Sequence, residues 1–260
     1  IQKADVDLVV SGHRHYPNVY DVDDTVFINA GTASSKKTRY GDVNSYCVID
    51  IDETKKKVTT KRLNGKNTVS NFPRKTKKVF SDFGSREFRA IQMSNTFFSD
   101  SDSFLERHWN QAVKTIDSLD PNLLVHCGGI VKEGLPGNYD NAIRQLDKID
   151  YPMVFTPAAR DINYMGYHLF NRHFGELDQE FEQDEFFFQG LSTPQYDSSI
   201  GVMGDTEREA LIQKMDDISY DFRCVFLHHN IVPIPHSREK GLLEDAGDLL
   251  RELVDSDIDL

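Results

Sequence analysis

Gly12-His13-Arg14-His15 places two imidazoles at alternate positions directly after the apolar run Val6–Val10. The glycine lets the backbone turn tightly, so that both rings can face one site. Neutral imidazole suits borderline metal ions, and two on one turn form a chelating pattern. Taken alone the pattern is short, and two exposed histidines at a strand end would read the same way. A second apolar run, Cys224–Leu227, ends in His228-His229-Asn230. For His228, a structural histidine at a strand end is the plainer account.

A two-metal phosphoester site needs carboxylate, amide oxygen and imidazole converging from loops at strand ends, with one carboxylate bridging the ions. Ser11–His15, followed by Phe27-Ile28-Asn29-Ala30-Gly31-Thr32-Ala33-Ser34-Ser35, resembles the end of a calcineurin-like metallophosphoesterase domain. The resemblance is to the subgroup that includes cyclic-nucleotide phosphodiesterase-like proteins. Residues 88–260 resemble the same family over nearly their whole length. Leu227–Asn230 with Pro233-Ile234-Pro235, Asp245-Ala246-Gly247-Asp248 and Tyr164-Met165-Gly166-Tyr167 carry it. It implies that His13 and His15 each serve one metal of an upstream site, and that His228 is a vestigial ligand.

The other ligand positions implied by the resemblance are degenerate. The family's first Asp-x-His falls on Asn95-Thr96-Phe97, its Gly-Asp pair on Gly128-Gly129, and its Gly-Asn-His-Asp motif on Ala158-Ala159-Arg160-Asp161. Asp161 alone matches. Gly129 removes the bridging charge, Phe97 and Ala159 remove two donors, and Arg160 brings a permanent positive charge to a site for cations. No catalytic metal is expected in the 87–260 domain. An intact parent would use Mn, Fe or Zn. The implied parent is a metal-dependent, phosphodiesterase-like hydrolase of phosphate esters, with 87–260 a pseudoenzyme. The alternative is a wholly non-catalytic binding or scaffold protein on the same fold.

These loops need a scaffold. From Phe88 onward, apolar strands alternate with amphipathic helices over 103–119, 139–149, 206–215 and 244–254, the pattern of a layered α/β fold. The family resemblance implies an α/β/β/α sandwich, incomplete or circularly rearranged in this chain. Residues 1–63 read as strands without a helix, 64–86 as a linker, and 87–260 as a domain lacking its C-terminal strands. Ser256-Asp257-Ile258-Asp259-Leu260 repeats Ala4-Asp5-Val6-Asp7-Leu8. That overlap suggests two consecutive copies of one domain type, cut at equivalent points. A tandem protein is favoured over a circular permutant, which has no need of the overlap. The strands of 1–63 are expected to complete the sheet of 88–260, in cis or in a strand-swapped homodimer.

Hydrophobic residues make up 38% of 260, enough for a core, and no apolar run is long enough to span a bilayer. The opening Ile1-Gln2-Lys3-Ala4-Asp5 has neither a signal sequence nor an initiator Met, so a natural N-terminus elsewhere and a cytoplasmic location are expected. Cys47, Cys127 and Cys224 lie in apolar runs, as reduced buried thiols would. The net charge of −12 argues against nucleic acid as a partner. A basic strip over 36–78 is read as a solvated hairpin and linker.

Overall fold

The computed structural model describes residues 4–5, 7–22, 25–52, 54–73, 88–196, 198–217, 220, 222–232, 241–255 and 257–258. The first strands are β1 (Ala4–Asp5), β2 (Leu8–Ser11), β3 (Asn18–Val22), β4 (Thr25–Asn29), β5 (Ser45–Ile51), β6 (Lys55–Arg62), β7 (Thr68–Pro73) and β8 (Phe88–Met93). Helices then enter: α1 (Glu106–Leu119), β9 (Leu123–Cys127), α2 (Pro136–Leu146), β10 (Met153–Thr156), α3 (Ala159–Ile162) and α4 (Gly166–Phe174). The chain continues through β11 (Glu180–Gln183), β12 (Phe186–Leu191), α5 (Asp205–Asp217), β13 (Phe222–Leu227), α6 (Ala246–Asp255) and β14 (Asp257–Ile258).

Two six-stranded sheets result, in the orders β10-β9-β8-β5-β6-β7 and β11-β12-β13-β2-β4-β3. Side chains alternate across each strand, so each sheet has an inner and an outer face. Leu8, Val10, Cys224 and Phe226 of one sheet face Cys47, Ile49, Ala90 and Val125 of the other in a common core. On the outer faces, Ile91 and Leu124 pack under Trp109, Val113, Tyr139 and Phe170 of α1, α2 and α4. Val9, Phe27, Val225 and Leu227 pack under Leu211, Leu249 and Leu253 of α5 and α6. The order is helix, sheet, sheet, helix, an α/β sandwich. In α1 the buried positions Trp109, Ala112, Val113 and Ile116 follow the helical repeat, which is why this segment is a helix that buries one stripe. All three cysteines are buried free thiols. Among the described residues, no helix is long and apolar enough to cross a membrane.

The N-terminal strands belong to both sheets. β2 lies between β13 and β4, parallel to each, with Cys224 opposite Leu8 and Val10 opposite Ile28. In the other sheet β5 runs antiparallel to β8. The described strands β2 to β6 therefore occupy, in cis, positions in the two sheets beside strands of 88–260. Lys56 reinforces the join from β6, its buried ammonium donating to the carbonyl and carboxylate of Asp7 in front of β2. The repeated ends lie side by side, Ala4 paired with Asp257 and Asp5 with Ile258.

The linker reading of 64–86 is corrected over part of its length. Thr68–Pro73 is a strand, antiparallel to β6 at the sheet edge. An edge strand covered on one side only needs few apolar residues, and Val69 and Phe72 are all that mark it. Residues 74–86 of that reading lie outside the described residues, as do Pro233 to Pro235.

Candidate functional site

The loops after β2, β4, β8, β10, β12 and β13 meet along one side of the sandwich. They enclose a cleft of about 640 Å³ lined by residues from all six. Parallel strands deliver their following loops to a common side, so residues far apart in sequence converge there.

His13 and His15 stand on the bend after β2, at φ of 59° and 56°. Gly12 serves this bend differently from the sequence reading. A Cβ there would stand 2.6 Å from the Cys127 carbonyl oxygen and 2.7 Å from the Ser94 Cβ. Glycine is required for close approach, while the left-handed turns fall on the histidines. Asn95 and Phe97 are also left-handed, at 53° and 51°. Such backbone costs energy for a bulky residue, and here it concentrates around the cleft.

Hydrogen bonds assign the tautomers. The Cys127 carbonyl can only accept, so His228 Nδ1 carries the hydrogen and donates across 2.8 Å. His228 Nε2 is then the acceptor from His13 Nδ1 at 2.9 Å. His15 Nδ1 donates to the Lys37 carbonyl at 2.6 Å. His229 lies against this group, its ring 5.3 Å from that of His13, with Nδ1 2.8 Å from Thr193 Oγ1. Burial is the main cause that keeps these rings neutral. It pushes His13 down to about 3, His15 and His229 to about 4, and His228 well below the usual value. For His15 the hydrogen bond to the Lys37 carbonyl opposes burial, while the charges of Lys37, Arg39 and Arg160 act with it.

The donor set does not fit a two-metal centre. Among the described residues, no carboxylate lines the cleft. Gly129 has φ of +71°, and a Cβ there would meet Asn95 Oδ1 at 2.6 Å and the Phe97 ring at 3.0 Å. The space a side chain at Gly129 would need is thus filled by Asn95 and Phe97. Ala159 offers no side-chain donor. Arg160 lies over the Phe97 ring at 5.9 Å and donates to the Lys132 carbonyl. Asp161, the one matching motif residue, is buried beneath the cleft and spends its carboxylate on the backbone N–H groups of Gly129, Val131 and Ala158. Among the described residues no group of three or more His, Cys, Asp or Glu side chains is placed to hold a metal ion.

What the cleft does present is positive charge. Arg14, Lys37, Arg39 and Arg160 line it together. Lys37 has its ammonium pushed below the usual value by burial and by Arg39 and Arg160. Lys37 and Arg39 lie in the basic strip first read as solvated. The loop after β4 carries them to the cleft, away from the hairpin of β5 and β6. Their position was not legible because it depends on where that loop crosses the sheet ends. Ser199, His229 and Tyr40 were also passed over, and only His229 had a local signal, its place beside His228.

The same loops carry a close backbone contact. A Cβ on Gly166 would stand 2.0 Å from the Asp161 carbonyl oxygen, and one on Gly134 1.9 Å from that of Asn163. Backbone cannot retreat as a side-chain tip can. Gly166→Ala is expected to destabilise the chain by about 1–3 kcal/mol in urea unfolding. A change within error would show that this packing is looser than described.

No family model matches the chain, and no curated protein matches it. Among solved structures it is similar to the purple acid phosphatase PPD1 isolated from yellow lupin (Lupinus luteus) seeds. The TM-score is 0.40 and the identity 12%, over 67% of this chain and 36% of that chain. The chain thus spans little more than a third of the lupin protein's length.

Proposed function

We propose that this chain is a metallophosphoesterase-type sandwich that binds a ligand in its cleft without two-metal hydrolysis. The observation that carries this reading is the cleft lining itself, four cations and, among the described residues, no carboxylate; the family resemblance would put a bridging carboxylate at Gly129, where Asn95 and Phe97 leave no room for a Cβ. Two divalent ions 3.5–4 Å apart, roughly the spacing of two-metal sites, need negative ligands between them, and four fixed positive charges oppose them. The chain is a pseudoenzyme in this reading, and its role is binding or scaffolding.

The test is direct. The full chain with excess Mn or Zn should hydrolyse bis(p-nitrophenyl) phosphate no faster than the metal alone. Calorimetric titration should show no stoichiometric pair of tight metal sites. Two ions bound with turnover would overturn the proposal.

A second reading rests on the repeat that pairs at β1 and β14. In a tandem protein, residues 1–63 would complete an upstream copy instead. His13 and His15 would then serve that copy's Mn, Fe or Zn ions, and the upstream copy would hydrolyse phosphate esters. Cysteines replacing Val10 and Phe226, neighbours across β2 and β13, would crosslink in this chain and fail to crosslink in such a tandem protein.

A further inference from the structure

We infer that the cleft is a metal-independent receptor for a phosphomonoester, in which arginine and lysine supply the charge that metal ions would otherwise provide. This rests on the proposed absence of a two-metal centre and adds the ligand class and the means of recognition.

Arg14, Lys37, Arg39 and Arg160 come from three separate loops and converge on one cleft. None of the four forms an ion pair with a described carboxylate, in a chain whose net charge is −12. Elsewhere Arg62 pairs with Asp42, Arg89 with Asp50, and the buried Arg208 with Asp205, Asp245 and Glu252. Cations held together without a counter-charge among the described residues repel one another, and a multivalent anion removes that repulsion. Arg160 is already oriented, held over the Phe97 ring and by the Lys132 carbonyl. A guanidinium fixed in this way loses little freedom on binding and presents paired N–H groups to phosphate oxygens. The buried neutral histidines add no negative charge to compete.

The size of the cleft argues for an organic group beyond the phosphate. About 640 Å³ exceeds what one phosphate fills and lies within the usual range for small-molecule sites. Tyr40 stands at the opening, edge-on to Tyr16 with ring centroids 5.3 Å apart. Its position suits contact with the organic part rather than the anion.

The experiment is isothermal titration of the full chain in EDTA with inorganic phosphate, phenyl phosphate and phenyl sulfate. Phenyl phosphate should saturate one site per chain and bind more tightly than the singly charged phenyl sulfate. Arg39→Ala and Arg160→Ala change exposed side chains, and unaltered thermal unfolding would confirm the fold. Each should weaken phenyl phosphate by about tenfold, in line with the loss of one charge-assisted contact. Tyr40→Ala should weaken phenyl phosphate and leave inorganic phosphate unchanged. No saturable phenyl phosphate binding in EDTA, or binding indifferent to both arginine variants, would overturn the inference while leaving the non-hydrolytic reading intact. Binding that appears only with added Mn or Zn, accompanied by turnover, would overturn both. Heparin binding without phenyl phosphate binding would make the cations a surface for polyanions and overturn the inference.

Discussion

Acid should unfold this chain in the range where only imidazoles take up protons in an extended polypeptide. His13, His15, His126, His228 and His229 are all held neutral in the fold. Burial pushes His13 and His126 to about 3, His15 and His229 to about 4, and His228 well below its usual value. His126 is remote from the cleft cations and stacks near Phe155. Its Nε2 lies 3.1 Å from Thr96 Oγ1, and its Nδ1 meets no protein partner. Arg14 and Lys37 oppose protonation of His13 further, and the charges of Lys37, Arg39 and Arg160 that of His15. Each folded value lies below the unfolded value near 6.5, so between the two the unfolded chain binds a proton that the folded chain refuses. The stabilisation is therefore present above about pH 6.5 and is lost as pH falls, at about 1.4 kcal/mol per unit for each group.

Asp161 acts with the opposite sign. Burial raises its carboxyl to about 6, although the N–H groups of Ala158, Val131 and Gly129 pull it down. Between about pH 6 and 4 the folded chain holds one more proton there than the unfolded chain, which stabilises it on acidification. Five protons against one leaves a slope on the order of 5 kcal/mol per pH unit near pH 5. A typical domain stability of about 5–15 kcal/mol cannot withstand that slope for long. In EDTA, fluorescence of the single Trp109 and near-ultraviolet circular dichroism should show cooperative unfolding between about pH 5.5 and 4.5. Signals flat from pH 7 to pH 4 would mean that these imidazoles reach solvent and protonate in the fold.

The scaffold was largely legible because burial on both faces leaves strong patterns. Leu8–Ser11, Ser45–Ile51, Leu123–Cys127 and Phe222–Leu227 are nearly continuous apolar runs, and each is a strand. The weak places were sheet edges. β7 and β11, Thr68–Pro73 and Glu180–Gln183, are half exposed and polar, so their alternation is diluted. Asn95, Phe97 and Arg160 line one cleft, and Gly129 packs against Asn95 and Phe97. Their mutual filling, with Phe97 and Asn95 against the missing Cβ of Gly129, could not be read from spacing. The cation cluster was hidden for the same reason. Arg14, Lys37, Arg39 and Arg160 are scattered along the chain, and only the sheet order brings them together.

Replacing Asp161 should cost more stability than any other single change near the cleft. Its carboxylate is fully buried and has no cationic partner among its close contacts. Instead it accepts three backbone hydrogen bonds: Gly129 N–H at 2.8 Å, Ala158 N–H at 2.7 Å and Val131 N–H at 2.9 Å. These donors belong to two loops, one after β9 and one after β10, which Arg160 also joins through the Lys132 carbonyl. Asp161→Ala leaves three buried N–H groups unpaired, each costing about 1–3 kcal/mol, so a loss of roughly 4 kcal/mol or more is expected. Asp161→Asn keeps one oxygen for two of the donors and turns its amide against the Val131 N–H. It also relieves the burial of a charge that costs about 3 kcal/mol at pH 7, from the rise of the carboxyl to about 6. The asparagine variant should therefore lose about half as much as the alanine variant. Urea unfolding at pH 7 separates the two. An alanine variant within about 1 kcal/mol of the parent would show that water satisfies these N–H groups and that Asp161 does not fasten the loops.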